Sequence, residues 1–339
     1  MIDKQRVALL TGITGMDGSN LAEFLVNKGY TVYGMVRRVS EPNIRKIEHL
    51  LDKITLLPGD LTDQTSIDNV MRHVMPTEIY HLGAQSFVQE SWNSPESTGN
   101  INGLGTLRTL NSMRQICPTA RFYNAASSEM FGKVKEIPQT ENTPFHPRSP
   151  YGVSKVTAFE YTRNYRESYG LFCCNGILFN HEGKNRGIEF VTKKITDAVA
   201  RIRYGLQDKL VLGNLSSKRD WGHSANYIEA MWLMLQQDKP DDYVIATGEA
   251  HTVREFVEES FKVAGVDITW KGEGIDEKGY GSNNEVLVEV SPQFYRPAEV
   301  DILLGDASKA KEKLGWSPKT TFKELVKEMT LYDLERHWR

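Results

Sequence analysis

A glycine-rich segment near the start of the chain, Gly12-Ile13-Thr14-Gly15-Met16-Asp17-Gly18, constrains the possible fold most strongly. It follows a short apolar run, Val7–Leu10, and precedes apolar residues that recur at helical spacing from Leu21. This order predicts a strand, a tight turn and a helix whose N-terminal N–H groups suit a pyrophosphate. The first glycine would permit the turn, the second a close approach of phosphate, and the third close packing of the helix. A glycine turn without a ligand is the alternative, but the context favours nucleotide binding.

The composition is that of an ordinary globular enzyme. The 339 residues suffice for one large domain or two interlocked domains, with 40% apolar and 25% charged residues. The net charge of −3 argues against nucleic acid as a partner. No apolar run approaches membrane-spanning length, and the first residues lack the apolar core of a signal peptide. Cys117, Cys173 and Cys174 suggest neither a disulfide framework nor a metal site. We therefore expect a cytoplasmic protein without a metal or a membrane partner.

The second predicted strand, Thr31–Val36, ends in Arg37 and Arg38. In NAD-binding proteins of this kind, an acidic residue near the end of that strand holds the ribose 2′-hydroxyl, whereas arginine suits a 2′-phosphate. Two arginines without a carboxylate therefore favour NADP over NAD. The alternative is that both arginines are simply solvated.

Strands and helices continue to alternate along the chain. This order is typical of an α/β protein with a doubly wound parallel sheet. Asp60, after the third strand, could face the adenine, and small residues in the fourth strand would let a cofactor lie against the backbone. The predicted strands are 54–57, 79–86 and 121–125. The predicted helices are 102–114, 153–169, 226–236 and 253–264, with one further helix that begins at 306 and a last helix from 321. In the last helix we expect Leu325, Met329 and Leu331 to face inward.

Tyr151 and Lys155 form a Y-x-x-x-K pair. Residues four apart on a helix share one face, and a nearby positive charge lowers the pKa of a tyrosine. The pair could therefore act as a general base that takes a hydroxyl proton. Tyr and Lys also occur at this spacing on ordinary helices, but the position after a nucleotide turn and a fifth strand favours catalysis.

Ser127 and Glu129 follow the fifth predicted strand directly. Ligands of open α/β sheets bind at the carboxyl ends of the strands, so both side chains fall in the expected crevice. Ser127 could hydrogen-bond the substrate oxygen that Tyr151 deprotonates. Glu129 is either a surface carboxylate or a second base, which a plain reductase or epimerase would not need but a reaction that removes a carbon-bound proton would.

Beyond these motifs, the chain resembles the GDP-mannose 4,6-dehydratases of the extended short-chain dehydrogenase/reductase group almost from end to end. The most specific segments are Lys218–Gly222 and Arg296–Asp301, because the glycine turn and the Y-x-x-x-K pair are shared by the whole superfamily. The other matching segments are 11–18, 37–38, 82–86, 127–132, 180–182, 186–187, 190–192 and 213–215.

The resemblance implies an enzyme that converts GDP-mannose to GDP-4-keto-6-deoxymannose by internal hydride transfer through NADP and loss of water. Tyr151 and Lys155 would serve the oxidation, Ser127 would assist, and Glu129 would act at carbon 5 of the sugar. The implied cofactor-binding residues are Gly12, Thr14, Gly15, Met16, Asp17, Gly18, Arg37, Asp60, Leu61, Leu82, Gly83, Ala84, Gln85, Ser86, Tyr151, Lys155, His181 and Arg186. The implied substrate-binding residues are Ser86, Ser127, Glu129, Asn180, Val191, Lys193, Gly213, Arg219, Arg296 and Glu299.

The planar fork of an arginine donates bidentate hydrogen bonds to a pyrophosphate, which suits Arg219 and Arg296. A local ion pair with Asp220 or Glu299 is the alternative, and a combination of both roles is favoured.

The resemblance also implies a domain organisation and an assembly. It predicts a Rossmann-type NADP-binding domain over 1–179 and a smaller C-terminal α/β substrate domain over 180–339, interwoven with the first and enclosing the GDP-sugar between them. The segment Ser40–Ile47 resembles a family loop that reaches a neighbouring subunit. We therefore expect a homodimer or homotetramer.

The chain departs from the family pattern at Phe87, at Ser97 near the expected cofactor, at Gly183–Asn185 near the expected substrate, and at Ser216-Ser217. A GDP-manno-heptose 4,6-dehydratase therefore remains an alternative, and a GDP-sugar epimerase or 4-ketoreductase a weaker one. A non-catalytic NADP-sensing module would usually lose the tyrosine and lysine that this chain keeps.

Overall fold

The computed structural model describes residues 6–40, 43–294 and 302–338. Arg296 and Glu299, the motif Arg296–Asp301 and residues 41–42 of the predicted intersubunit loop lie outside the described residues.

The central sheet has seven parallel strands among the described residues, in the order β11-β6-β5-β4-β1-β2-β3. The strand order runs outward from β1 on one side and from β4 on the other, so the crevice between these two strands lies at the topological switch point. The strands of the chain are β1 Val7–Thr11, β2 Thr31–Val36, β3 Ile54–Pro58, β4 Glu78–His81, β5 Arg121–Ser127, β6 Phe172–Leu178, β7 Asn180–Glu182, β8 Leu210–Leu212, β9 Lys218–Arg219, β10 Trp221–His223, β11 Asp242–Ile245, β12 His251–Thr252, β13 Thr269–Lys271, β14 Lys278–Tyr280, β15 Val286–Val290 and β16 Ile302–Leu303.

Helices pack on this sheet because its central strands are apolar on both faces. Most side chains of β1, β4 and β5 are buried. The helices are α1 Met16–Asn27, α2 Gln64–Val74, α3 Glu90–Asn93, α4 Pro95–Gly99, α5 Gly105–Ile116, α6 Pro150–Tyr169, α7 Val191–Arg203, α8 Ser224–Met234, α9 Val253–Val263, α10 Ser308–Leu314 and α11 Phe322–Trp338. The predicted α/β fold with a doubly wound parallel sheet is confirmed.

The C-terminal half of the chain adds smaller sheets and its own apolar core. Strands β13, β14, β15 and β8 form one sheet, β12, β9 and β16 a second, and β10 pairs with β7. Apolar side chains of α7, α9 and α11 bury one another beside β8 and β15. Strand β11 pairs with β6, so this half of the chain also supplies one edge of the central sheet.

Several element boundaries differ from the sequence-based predictions. The fourth strand ends at His81 instead of Ser86, because the N–H of Gly83 turns to the Thr11 hydroxyl. Helix α6 begins at Pro150 rather than 153, since proline suits the first helical turn and Ser149 accepts a hydrogen bond from Gly152 N–H. The predicted helix 102–114 is part of a longer helical run that includes a π-helix over 100–104.

The prediction that Leu331 faces inward is wrong. Leu325 and Met329 are buried, but Leu331 is 41% exposed. The buried face of α11 continues through Thr330 and Asp333, which have the 3–4 residue spacing of a helix stripe, and Leu331 lies outside that stripe.

None of the helices in the described part of the chain combines the length and apolar character needed to cross a membrane.

The close packing of α1 on the glycine turn leads to a stability prediction. A methyl group on Gly18 would overlap the Gly12 carbonyl oxygen and lie 2.6 Å from the Ile13 Cα. Gly18→Ala should therefore lower the free energy of unfolding by about 1–3 kcal/mol. Chemical denaturation measures this change. Gly99→Ala is the matched control, because no heavy atom lies within 4 Å of the added methyl and alanine favours a helix by about 0.5–1 kcal/mol. Equal stability of Gly18→Ala and wild type would contradict the packing argument.

Candidate active site

One large cleft, about 1190 Å³ in volume, opens at the carboxyl ends of the central strands. It is lined by every residue that the sequence assigns to the cofactor, and by most of the described residues assigned to the substrate. The latter are Ser86, Ser127, Glu129, Asn180, Val191, Gly213 and Arg219. The cleft therefore brings the predicted cofactor and substrate residues together in one continuous space.

The glycine turn forms one wall of the cleft. Gly12 has a positive φ of 73°, and a Cβ on it would lie 2.8 Å from the Gly83 Cα, so glycine is required there. Gly15 precedes α1 as its N-cap residue and provides no side-chain cap. The first N–H groups of α1 therefore face the cleft beside the positive end of the helix dipole, an arrangement that suits an anion.

Asp17 lies in the first turn of α1, and its carboxylate is fully engaged by protein groups. His181 Nε2 lies 2.7 Å from Asp17 Oδ2, and the Ser224 hydroxyl donates to Oδ1 at 2.9 Å. Burial alone would raise the pKa of Asp17, but the charge and hydrogen bond of His181 outweigh it and lower that pKa. The acidic side chain is thereby neutralised at the helix end where a phosphate would bind.

His181 is held on three sides. Its Nδ1 lies 2.8 Å from the Phe179 carbonyl oxygen, and its ring stacks on Tyr227 at a centroid distance of 4.6 Å. Burial lowers the pKa of His181, but the neighbouring Asp17 more than compensates, so that the pKa is raised. The two residues form a hydrogen-bonded pair between α1 and β7, which joins the two halves of the chain.

The far end of the cleft lies beside Arg37 and Asp60. Burial raises the pKa of Asp60, but hydrogen bonds from Thr62 N–H and its hydroxyl, together with the Arg37 charge, lower it overall. Arg37 and Arg38 are both exposed, but Arg38 is not one of the residues that line the cleft. Of the two arginines considered in the sequence, Arg37 is therefore placed to meet a ligand.

The loop 82–86 is fixed by a residue that the sequence analysis did not single out. The Asn102 side-chain oxygen accepts from Gln85 N–H at 2.8 Å, and its amide group donates to the Gln85 carbonyl at 3.0 Å. Asn102 lies in the π-helical segment and also donates to the Ser154 hydroxyl at 2.9 Å. No local sequence signal identifies such a long-range bridge.

Ser127, Glu129, Tyr151 and Lys155 meet where β5 ends and α6 begins. Ser127, the last residue of β5, is hydrogen-bonded to the Tyr151 side chain and accepts from Glu129 N–H at 3.2 Å. The Lys155 ammonium lies 5.7 Å from the centre of the Tyr151 ring and donates to the Ala125 carbonyl at 2.8 Å. A hydroxyl, a phenol, a carboxylate and an ammonium thus surround one part of the cleft.

The sequence predicts that Lys155 lowers the pKa of Tyr151, but in the structure the pKa of Tyr151 is raised. Burial raises the pKa of the phenol to about 12, the hydrogen bond from Ser127 opposes this shift, and the Glu129 charge adds to it. Burial also lowers the pKa of Lys155 to about 8. The reason is desolvation: both groups lie deep in the protein, where the charged form of each is disfavoured.

The substrate side of the cleft differs from expectation at Lys193. Its ammonium is buried and lies 2.5 Å from Asp333 Oδ1, and Lys193 is not among the residues that line the cleft. The next residue, Lys194, lines the cleft instead, with its ammonium 3.4 Å from the centre of the Phe294 ring. The two lysines lie on different faces of α7, and Lys194 shares the face of Val191 because it is three residues further on.

The predicted residue Arg186 and two aromatic rings form another part of the cleft wall. Arg186 Nε lies 2.8 Å from Glu182 Oε2, and its guanidinium stacks on Phe190 at 3.5 Å. Phe190 meets Phe87 edge to face. The cleft residues that sequence reasoning did not assign to a ligand include Phe87, Val88, Gln89, Ser97, Glu189, Phe190, Lys194, Asn214, Ser217 and Phe294. Within the described residues, no three His, Cys, Asp or Glu side chains form a group that could hold a metal ion.

Comparisons with known proteins identify the family to which the chain belongs. Residues 9–329 match the family model described as GDP-mannose 4,6 dehydratase. A relative named GDP-mannose 4,6 dehydratase from Dictyostelium discoideum is 52% identical over 347 residues, which cover 99% of this chain and 98% of the relative.

Solved structures with the same fold bind nicotinamide cofactors. A Thermus thermophilus UDP-glucose 4-epimerase in complex with NAD has a TM-score of 0.81 at 24% identity, covering 96% of this chain and 98% of the other. RMD from Pseudomonas aeruginosa, complexed with NADPH, has a TM-score of 0.77 at 23% identity, covering 98% and 100%. The fold is shared with these enzymes, and the sequence match over nearly the whole chain establishes that the protein belongs to the GDP-mannose 4,6-dehydratase family.

Proposed function

We propose that this protein is an NADP-dependent GDP-mannose 4,6-dehydratase, which removes water from GDP-mannose to give GDP-4-keto-6-deoxymannose. The observation that carries this proposal is the grouping of Ser127, Glu129, Tyr151 and Lys155 in the same cleft as the glycine turn. A reductase or epimerase needs the tyrosine and lysine, but only an elimination needs the additional carboxylate.

The residues of the cleft fit a nicotinamide cofactor. The turn at Gly12 leaves no side chain between the cofactor and the N–H groups of α1, and the adjacent residues Gly83 and Ala84 present little more than backbone to the cleft. A volume of about 1190 Å³ is large for one ligand and leaves space for a nucleotide sugar beside a dinucleotide. When bound, the cofactor accepts a hydride from carbon 4 of the sugar and returns it to carbon 6.

Tyr151 is the base for the first step. It removes the proton of the sugar 4-hydroxyl, while the Ser127 hydroxyl hydrogen-bonds the same oxygen. Because burial holds the pKa of the phenol at about 12, the phenolate needs stabilisation by a positive charge, and Lys155 is the cation on the same helix face. The resulting ketone at carbon 4 makes the proton on carbon 5 acidic.

Glu129 is the base for the elimination. Its carboxylate is close enough to Tyr151 to raise the pKa of that phenol, so it faces the same region of the substrate. It removes the carbon-5 proton and passes it to the carbon-6 hydroxyl, which leaves as water. The proton that Tyr151 took from the 4-hydroxyl balances the protonation of carbon 5 when the hydride is returned to carbon 6. Each of these proton transfers contributes about 10²–10⁴ to the rate.

We assign the preference for NADP to Arg37, which lines the end of the cleft where the adenine ribose would lie. A guanidinium binds a 2′-phosphate through paired hydrogen bonds and would gain little from a 2′-hydroxyl. Asp60 would face the adenine side of the same ligand.

The experiment that tests the activity is incubation of the protein with GDP-mannose and, separately, with GDP-manno-heptose, followed by mass measurement of the products. Loss of one water from GDP-mannose supports the proposal. Loss of water only from GDP-manno-heptose would favour that substrate instead, consistent with the departures at Phe87 and Gly183–Asn185. Epimerisation or reduction without loss of water would exclude a dehydratase.

The compartment and the assembly complete the proposal. The three cysteines are buried and unpaired, which suits the reducing environment of the cytoplasm. A homodimer or homotetramer is proposed because the segment Ser40–Ile47 resembles a family loop that reaches a neighbouring subunit.

The cofactor assignment gives a mutational prediction. Arg37→Asp should weaken NADP binding by about ten- to a hundredfold, because it removes a charge-assisted hydrogen bond and adds repulsion, and it should reduce or invert the preference over NAD. Equilibrium fluorescence titration with NADPH and NADH measures both affinities. Arg38→Asp is the matched control, since Arg38 does not line the cleft. Equal affinity of the wild type for the two cofactors would refute the assignment.

The role of Glu129 separates oxidation from elimination. Glu129→Gln keeps the shape and should bind cofactor normally but lose water about 10²–10⁴-fold more slowly, while some 4-keto sugar accumulates with reduced cofactor. Tyr151→Phe should block even that first step. Single-turnover absorbance of the nicotinamide and deuterium incorporation at carbon 5 distinguish the two variants. Incorporation and water loss at wild-type rates in Glu129→Gln would show that Glu129 only braces the loop after β5.

The assembly prediction concerns the segment Ser40–Ile47. We expect a dimer or tetramer by light scattering at micromolar concentration, with this segment at an interface because Asn43 and Arg45 are exposed while Ile47 is anchored in the core. Cross-linking from a cysteine introduced at Arg45 would locate the segment. A monomer, or a cross-link confined to one subunit, would count against the prediction.

A further inference from the structure

The buried ammonium of Lys193 connects the C-terminal helix to the wall of the cleft. Lys193 is 4% exposed, and its Nζ lies 2.5 Å from Asp333 Oδ1 and 3.1 Å from the Lys184 carbonyl oxygen. Asp333 is fully buried, and its second oxygen accepts from the Thr196 hydroxyl at 2.7 Å. A buried charge of this kind is tolerated only when it is paired and its hydrogen bonds are satisfied, and here both conditions are met.

The Lys184 carbonyl belongs to a turn that carries a cleft residue. The turn is closed by a hydrogen bond from Arg186 N–H to the Gly183 carbonyl at 3.0 Å, and the Arg186 side chain lines the cleft. The residue before the turn, Glu182, accepts from the Thr192 hydroxyl at 2.8 Å and is paired with Arg186. Two residues in the first turn of α7 therefore hold this segment. Thr192 donates to the Glu182 carboxylate, and Lys193 donates to the Lys184 carbonyl oxygen.

A second ion pair joins the same two helices one turn further along. Asp197 lies four residues after Lys193 on α7, and its Oδ1 is 2.8 Å from Nε2 of His337, which lies four residues after Asp333 on α11. Its other ionic neighbour, Arg336 at 3.8 Å, also lies on α11. Both pairs hold α11 against α7. Of the two, the Lys193–Asp333 pair is the one that also contacts the turn 183–186, because Lys193 donates to the Lys184 carbonyl oxygen.

We infer that Asp333 and Lys193 are positioning residues for the cofactor site: the C-terminal helix, through this buried pair, holds the turn 183–186 so that Arg186 faces the cleft. This inference rests on the proposed binding of a nicotinamide dinucleotide in the cleft. Asp333 touches neither ligand in this arrangement and acts through Lys193. Loss of the pair releases the Lys184 carbonyl and lets Arg186 leave its place on Phe190.

Matched variants separate positioning from stability. Asp333→Asn breaks the pair that reaches the turn, and Asp197→Asn breaks the neighbouring pair. Asp333→Asn should raise the Kd for NADPH, and the NADP concentration that gives half-maximal activity, by about ten- to a hundredfold, with kcat at saturating NADP nearly unchanged. Asp197→Asn should lower Tm comparably but leave the Kd within about twofold, because small displacements far from the ligand matter only where they move a binding group.

A double variant, Lys193→Met with Asp333→Leu, keeps the test decisive if Asp333→Asn folds poorly. Replacing both partners of a buried pair by apolar residues preserves stability, so Tm should recover. The Kd for NADPH should stay high, because methionine has no donor for the Lys184 carbonyl. Recovery of both Tm and Kd, or equal Kd changes in Asp333→Asn and Asp197→Asn, would overturn the inference.

Wild-type protein that binds NADPH but dehydrates no GDP-sugar would overturn only the proposed function, whereas failure to bind NADPH would overturn both.

Discussion

The close approach of two backbone segments, at Gly12 and Gly83, is the constraint on which the rest of the structure depends. A side chain on Gly12 would collide with the backbone of Gly83, and the Gly83 N–H donates to the Thr11 hydroxyl at 2.9 Å. The carboxyl ends of β1 and β4 are thereby joined at the one place where the strand order reverses direction. The ligand crevice exists because the chain after each of these strands must turn away from the sheet, and both turns then face the same space.

Polar links connect the parts of the chain that meet across this crevice. Asp17 with His181 joins α1 to β7, and Lys193 with Asp333 joins α7 to α11, whereas Glu182 with Arg186 braces the turn that follows β7. Breaking one partner of such a pair leaves an uncompensated charge, which costs about 3–5 kcal/mol, whereas an apolar replacement of both partners is tolerated. Their geometric specificity therefore matters more for the site than their contribution to stability. An apolar contact could slide, while a paired carboxylate fixes both the distance and the direction of its partner.

The sequence predicts those parts of the site that follow from local order and parallel topology. The glycine turn, the residues after β5 and the tyrosine–lysine pair are each tied to the carboxyl end of a strand or the start of a helix, so their meeting in one cleft could be expected. The orientation of individual side chains could not. Lys193 and Lys194 are adjacent lysines that the sequence alone does not distinguish. Which of them lines the cleft depends on how α7 is rotated against α11. The pKa of Tyr151 depends on burial, which is a property of the whole fold and not of a spacing.

The π-helical segment shows how far such long-range effects reach into the site. A π-turn adds one residue to a helical turn and so rotates the following side chains relative to a regular helix. In this protein the extra residue lies within 100–104, and Asn102 projects between two functional elements. The Asn102 side chain hydrogen-bonds both the N–H and the carbonyl of Gln85, in the loop at the cofactor wall. It also donates to the hydroxyl of Ser154. In the sequence of α6, Ser154 lies between the proposed catalytic base Tyr151 and Lys155. Through Asn102, this segment therefore links the loop beside the cofactor wall to the helix that carries the proposed catalytic tyrosine.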